Sequence, residues 1–260
     1  MQAHPDGRYT VAIGAADIGT GTWTALAQVA ADALGVDVDQ VELHIGDTNY
    51  PRASEAAASS GITSWGAAIC EAADQLRDAL ANQHGGQIPP EGLKVTAEMP
   101  DNPYLKQYSM HSFGAQFAEV RVNEFTGEIR VPRQLGVFAV GRIVNPKTAR
   151  SQLLGGMTWG LSMALHEHGV LDPRFGTTIT QDLATYHVAS NADVGNIEVH
   201  WLDEYDPYVN PMGTKGIGEI GMVSAAAAIA NAVHHATGVR VRDLPITLDK
   251  LLPENRPATP

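Results

Sequence analysis

The chain has 260 residues, 44% of them hydrophobic and 18% charged, enough for one large or two smaller domains with a real core. Its 17 basic and 29 acidic residues leave a net charge of −12, and the basic ones are scattered, which argues against nucleic acid as a main partner. The single cysteine, Cys70, excludes an internal disulfide, a thiolate zinc site and an iron–sulfur cluster built from this chain alone, and its helical setting reads as that of a small buried residue.

In chain order, Tyr9–Ala15 reads as a strand through its alternating Val11 and Ile13. The glycine-rich turn Asp17-Ile-Gly-Thr-Gly-Thr22 follows, then a helix from about Thr24 to Leu34, stopped by Gly35. Val41, Leu43 and Ile45 alternate through a half-buried strand over 40–46, and Asp47–Ser60 has no period and reads as a loop. A helix is expected over 64–82, with Ile69, Ala73, Leu76 and Leu80 on one face. From His84 to Ser112 prolines, glycines and polar residues cluster, which places a domain boundary there. The expected division is 1–100, 101–252 and a frayed proline-rich tail at 253–260.

The second half opens on a hairpin, 116–122 and 128–140, joined through Asn123-Glu-Phe-Thr-Gly127. Asn145-Pro146 starts a long helix running to about His166. Strand-like segments follow at 169–171, 182–188 and 197–202, then a polar loop over 203–217 and a helix over 219–237 closed by Gly238. Helices and strands mix without a strict βα repeat, so the expected class is α+β, mixed sheets packed with helices. The first residues hold no apolar run behind a basic start, so no signal peptide is expected. The longest apolar stretch, 223–233, is alanine-rich and too short to span a bilayer. No membrane partner is expected, and the expected compartment is the cytoplasm, or the periplasm if a partner carries an export signal.

Three segments could carry chemistry. Gly19-Thr20-Gly21-Thr22, between a strand and a helix, is either a tight turn with capping threonines or an anion-binding turn; it lacks the lysine of a phosphate loop and the third glycine of a dinucleotide fingerprint. Ala58-Ser59-Ser60-Gly61 is either an ordinary loop or a place where backbone and hydroxyls approach a polar ligand. Gly213-Thr-Lys-Gly-Ile-Gly-Glu219 precedes a helix, so Glu219 is either a first-turn acid stabilised by the helix dipole or a general base facing a pocket. Neither His166/His168 nor His234/His235 has the spacing of a helical zinc pair. A serine hydrolase is disfavoured because no Gly-x-Ser-x-Gly occurs. An unrelated nucleotide-binding enzyme would leave Lys215–Glu219 unexplained.

Taken together, and with Val41-Glu-Leu-His-Ile-Gly-Asp47, Phe117-Ala-Glu-Val-Arg-Val122, Gly141-Arg-Ile-Val-Asn-Pro146, Leu154-Gly-Gly-Met-Thr-Trp-Gly160 and Asp182-Leu-Ala-Thr-Tyr-His-Val188, these segments resemble the molybdenum-binding subunits of the xanthine dehydrogenase/aldehyde oxidoreductase family. The resemblance runs over roughly residues 8–252 and is nearest to bacterial three-subunit aldehyde oxidoreductases. It implies two α/β subdomains of the molybdopterin-binding type. It also implies that Gly19, Thr20, Gly21 and Thr22, Ala58, Ser59 and Gly61, and Lys215, Gly216 and Gly218 contact the molybdenum–molybdopterin cofactor, in its cytosine dinucleotide form. Trp159 would stand near the metal, where xanthine dehydrogenases carry glutamine, as Thr20 also replaces a usual glutamine; both differences turn the reading from purines toward aldehydes or N-heterocycles. Gly61 departs from the family's serine form. Glu219 matches the catalytic glutamate, the base in a hydroxylation that takes its oxygen from water. No side chain of the chain is implied as a metal ligand. Iron–sulfur clusters and FAD would sit on partner subunits, and a further partner, the N-terminal half of the molybdenum subunit, would complete the cofactor enclosure. The alternative is a non-catalytic fragment or pseudo-subunit, inactive without that half; the intact Glu219 and glycine turn favour the first reading.

Overall fold

A computed structural model describes residues 1–252; the tail expected to fray, 253–260, lies outside the described residues. The elements in order are β1 (Gln2–Ala3), β2 (Tyr9–Ala12), α1 (Thr22–Leu34), β3 (Val41–His44), α2 (Gly61–His84), β4 (Leu93–Lys94), β5 (Phe113–Val122), β6 (Ile129–Ala139), α3 (Pro146–Leu165), β7 (Leu171–Asp172), β8 (Thr177–Thr178), β9 (Asn196–Trp201), α4 (Ile220–Val223) and α5 (Ala225–Thr237). They group into two units that interleave along the sequence: Met1–Ser112 with Ala139–Ala149 and Asp203–Ile217, and Phe113–Phe138 with Arg150–Leu202 and the chain from Gly218 onward. A single division at residue 100 therefore does not describe them. Two later stretches return to the first unit because their apolar residues complete its core.

In that first unit the sheet is mixed, in the order β3-β2-β1-β4. Strands β2 and β3 run parallel, Val11 opposite Leu43, while β1 is antiparallel to both β2 and β4. Val11 and Ile13 point inward from alternate positions, and Leu26, Val29 and Ala30 of α1 meet them at helical spacing. Trp65 and Ile69 of α2 close the core, and Met212, from the 203–217 stretch, inserts into it. Full burial of each large apolar side chain here contributes about 1.5–3 kcal/mol. Helix α1 stops at the expected Gly35, which takes a left-handed conformation (φ 70°). Cys70 is half-buried on α2, and burial pushes its thiol up to about 11, so it is a protonated, unreactive group at neutral pH.

The second unit holds the three-stranded sheet β5-β6-β9. The expected hairpin is present: Asn123 N–H donates to the Glu128 carbonyl and Gly127 N–H to the Asn123 carbonyl, closing the turn between β5 and β6. Strand β9 joins β6 in parallel, Val199 opposite Gly136. Ala118, Val120 and Val122 of β5 pack on Ile229 and Val233 of α5, together with Leu161 and Ala164 of α3.

Three expectations change here. The strand expected at 182–188 is a turn, because the Asp182 carboxylate accepts the N–H groups of Ala184 and Thr185 and the Thr185 hydroxyl; local side-chain bonds displace the ladder. The strand expected at 169–171 falls at Leu171–Asp172, paired with Thr177–Thr178. The helix expected over 219–237 breaks at Ser224, whose carbonyl accepts Ala228 N–H and starts α5 afresh. Glu219 is thus the residue that precedes a one-turn helix, and the long-helix dipole expected to stabilise it is not there.

Candidate functional site

The strand β2 ends close to Asp17, which organises the glycine turn. Asp17 Oδ1 accepts Gly19 N–H at 2.8 Å and Oδ2 accepts Trp23 N–H at 3.4 Å. Gly19 (φ 92°) and Gly21 (φ 80°) are both left-handed, and a Cβ on Gly21 would lie 2.5 Å from the Thr148 methyl, so glycine is required there on two grounds. A Cβ on Gly19 would meet no atom within 4 Å, leaving that backbone approachable. The expected capping threonines are absent. Gly21 is the cap residue without a side-chain bond, and Thr22, 1% exposed, turns its hydroxyl toward that of Thr20 at 3.2 Å. At the start of this 13-residue helix the Asp17 carboxylate thus takes the amides of Gly19 and Trp23, and those of Thr20, Gly21 and Thr22 lie between them.

The serine loop is strained. Ala58 (φ 51°) and Ser59 (φ 54°) are consecutive left-handed residues, and neither is glycine. Each such residue costs on the order of 1 kcal/mol, and such strain persists where surrounding contacts over-determine it. Those contacts are on hand. A Cβ on Gly216 would lie 2.4 Å from the Ser59 carbonyl oxygen, so the two backbones touch directly. The Ser112 hydroxyl donates to the Gly216 carbonyl at 2.8 Å, and the Ser60 carbonyl accepts the hydroxyls of Thr63 and Ser64. Gly61 opens α2 beneath the Trp65 ring, which a Cβ there would approach to 2.7 Å. Ser59 Oγ is buried without a hydrogen-bond partner among the described residues.

Lys215 stands beside this junction with a side chain only 11% exposed. Its ammonium lies 3.1 Å from Asp206 and 3.6 Å from Glu204, and Glu204 also accepts Gly141 N–H at 2.7 Å. Burial pushes the Asp206 carboxyl up, but the Tyr208 N–H and Lys215 together outweigh it and hold the group below the usual carboxylate range. The Lys215 ammonium is thus committed to two carboxylates. Backbone bonds fix the same stretch, from Lys215 N–H to the Val140 carbonyl and from Arg142 N–H to the Gly213 carbonyl. Asn102 reaches across the sequence to donate to the Tyr208 and Val209 carbonyls.

In the second unit Glu219 is exposed, and among the described residues its carboxylate makes no hydrogen bond or ion pair. Its carbonyl accepts Met222 N–H, making the single turn of α4. Two elements grip that turn. Gln116 of β5 donates its amide to the Gly221 carbonyl at 2.8 Å and to the Ile220 carbonyl at 3.5 Å. On α3, Gly156 meets Gly221 backbone to backbone, with any added Cβ 2.9 Å from Gly221 Cα, and Gly160 lies against the Ala225 methyl. Trp159, on α3 between those glycines, is 70% exposed. Gly218 is exposed as well.

Of the segments singled out in the sequence, the serine loop and Gly216 are brought into contact in the first unit; the glycine turn of that unit packs on Thr148. Sequence reasoning missed Ser112, Asn102, Glu204, Asp206 and Gln116. Gln116 had a signal: it is the one polar residue on the inward, α5-facing side of β5, where Ala118, Val120 and Val122 are apolar. The others, in irregular segments, had none. Among the described residues no three His, Cys, Asp or Glu side chains converge to hold a metal ion.

The strained serine loop, its unpaired buried hydroxyl and the Gly216 backbone pressed against it form one junction in the first unit, and the glycine turn is a separate feature of that unit. The profile of the molybdopterin cofactor-binding domain matches residues 1–102 and 91–195, and the chain belongs to this family. It is 42% identical over 97% of its length to the aldehyde oxidoreductase molybdenum-binding subunit PaoC of Escherichia coli, covering 38% of that protein. It is 32% identical over 97% of its length to the probable hypoxanthine oxidase XdhD of Escherichia coli, covering 30% of it. The crystal structure of quinoline 2-oxidoreductase from Pseudomonas putida 86 superposes with a TM-score of 0.83 at 26% identity, over 98% of this chain and 38% of that one. The aldehyde oxidoreductase from Desulfovibrio desulfuricans gives 0.81 at 25% identity, over 98% of this chain and 30% of that one. The chain spans well under half the length of these relatives.

Proposed function

We propose that this chain is the part of a molybdenum hydroxylase subunit that cradles the pterin cofactor and supplies the catalytic base, in an enzyme that oxidises aldehydes, or N-heterocycles, with water as the oxygen source. The observation that carries it is the Ser59–Gly216 junction, where a strained backbone and an unpaired hydroxyl stand ready for a polar group within a chain of the cofactor-binding family. The residues fit that group. Thr20, Gly21 and Thr22 offer amides, Gly19 leaves its side of the turn open while its own N–H is held by Asp17, the Ala58–Gly61 loop offers backbone and the Ser59 hydroxyl, and Gly216 lets backbone come close. Lys215 acts through its backbone and by fixing that stretch. Trp159 and Gly218 are exposed in the second unit, and their part in holding the group rests on the family resemblance.

When bound, the molybdenum–pterin group supplies the two-electron chemistry at the substrate carbon. The protein's own share is to position, to exclude water and to move a proton. The Glu219 carboxylate, its oxygens free of donors among the described residues, accepts that proton. Iron–sulfur clusters and FAD on partner subunits would take up the electrons, and the remaining part of the molybdenum subunit would complete the enclosure. The 42% identity to an aldehyde oxidoreductase subunit, against 32% to a probable hypoxanthine oxidase, supports aldehydes over purines. We further propose the cytosine dinucleotide form of the cofactor and a cytoplasmic location; among the described residues no helix is long and apolar enough to cross a membrane.

Glu219→Gln in the assembled enzyme tests the assignment. Molybdenum content should stay unchanged while turnover of an aldehyde panel falls by about 10²–10⁴-fold, the usual share of a general base. Near-normal turnover would remove Glu219 from the role.

A further inference from the structure

Because, among the described residues, no side-chain bond tethers the Glu219 carboxylate, its position is set by the backbone turn that carries it. That turn is too short to hold itself: α4 has four residues, and Ser224 ends it. Whatever grips Ile220 and Gly221 therefore aims Glu219. On one side the grip is backbone contact with Gly156 of α3, and on the other it is the Gln116 amide. The amide's orientation is fixed by chemistry, since both atoms it faces are carbonyl oxygens and only its nitrogen can donate to them.

The same arrangement leaves Gln116 Oε1 buried with no hydrogen-bond partner among the described residues. An unpaired buried acceptor costs about as much as the bonds made by the other end of the amide contribute, so Gln116 adds little or nothing to stability. A residue chosen only to fill the inward side of β5 would be apolar, as its neighbours Ala118, Val120 and Val122 are. We propose that Gln116 is a positioning residue for Glu219, its amide holding the Ile220 and Gly221 carbonyls so that the turn keeps one orientation. This rests on the reading of Glu219 as the base.

The test is Gln116→Met and Gln116→Leu in the assembled, cofactor-loaded enzyme, with Glu219→Gln alongside. Both Gln116 variants should keep molybdenum content and KM within about twofold of the parent and should melt close to it, since the orphaned acceptor removed offsets the Gly221 carbonyl left without its donor. Their kcat should fall by about 10- to 100-fold, the scale of a reacting group displaced by a fraction of its working distance. Hydrogen–deuterium exchange over 219–224 should rise several-fold while exchange in β5 stays unchanged, a readout independent of turnover. Unchanged kcat and unchanged exchange with an inactive Glu219→Gln would overturn the role of Gln116 and leave the base assignment standing. Turnover that falls only in step with lost molybdenum or a lower melting temperature would also overturn it, as a plain structural role would suffice. An active Glu219→Gln enzyme would instead sink the base assignment beneath it.

Discussion

The serine loop of the first unit and the glutamate turn of the second solve opposite problems. Ser59 is over-determined: left-handed like its neighbour Ala58, it is pinned by direct backbone contact with Gly216, which the Ser112 hydroxyl holds in turn. Glu219 is under-determined at its side chain, and only the two residues after it are gripped, by Gln116 and by Gly156. A group that must fit a rigid ligand gains from being fixed before the ligand arrives. A group that must accept a proton and release it gains from a carboxylate with no competing donor, provided its backbone stays in place. In both regions the rigidity comes from residues far away in sequence, so both can be broken from a distance.

The heaviest blow to the first region is Gly216→Ala. The new methyl group would fall 2.4 Å from the Ser59 carbonyl oxygen and 2.8 Å from its Cβ, and backbone cannot swing aside as a long side chain can. The expected cost is about 3 kcal/mol of stability, the upper range for an overpacked site. Cofactor retention should fail with it, measured as molybdenum per protein after gel filtration. A loaded, stable Gly216→Ala enzyme would show that the serine loop is not fixed by this junction, and the contrast with the glutamate turn would disappear.

Lys215→Met strikes the same region more gently. It leaves Asp206 and Glu204 facing each other without their shared cation. The pair is neither surface-exposed nor wholly buried, so the expected loss is about 2 kcal/mol, between the values for those two extremes, with partial recovery in Lys215→Arg. The pH dependence has a definite sign. The folded Asp206 carboxyl titrates below its ordinary value of 3.8, so its contribution is present above that pH and is lost as pH falls through the folded value. Denaturation in the acid range should therefore be steeper for the parent than for Lys215→Met. Equal slopes would mean that Lys215 does not hold Asp206 charged.

Much of this was legible in one dimension. The 3.6-residue spacing in α1, the Gly35 stop and the hairpin turn at 123–127 are local signals, and each is realised nearly where it was expected. So are the motif positions, since glycine spacing survives as sequence. What could not be read is who touches whom. Gln116 and Gly221 are 105 residues apart, and Asn102 and Tyr208 are 106 apart. Nothing in either stretch names its partner. The interleaving of the units hid for the same reason: Met212 lies in a polar loop by composition, yet it fills the core beside Trp65 and Val29. At Asp182 the error ran the other way. The segment 182–188 was expected as a strand, but a carboxylate at its head captures the backbone first.

The smallest expected effect separates binding from folding most cleanly. Ser59 Oγ is buried and unpaired, so Ser59→Ala deletes a desolvated hydroxyl that contributes nothing to the empty protein. Backbone strain is left as it was, because alanine at φ 54° is no easier than serine. The melting temperature without cofactor should stay level or rise slightly. With cofactor, the lost hydrogen bond should weaken retention by about tenfold, near 1.4 kcal/mol, read from the rate at which molybdenum is lost on dilution. Ser59→Gly removes the hydroxyl and also relieves the left-handed strain, so it should stabilise the empty protein by about 1 kcal/mol while retaining cofactor no better than Ser59→Ala. If both variants instead destabilise the empty chain, the hydroxyl has a partner within the protein and is not waiting for one. The serine loop would then be an ordinary structural corner rather than a preformed half of a binding site.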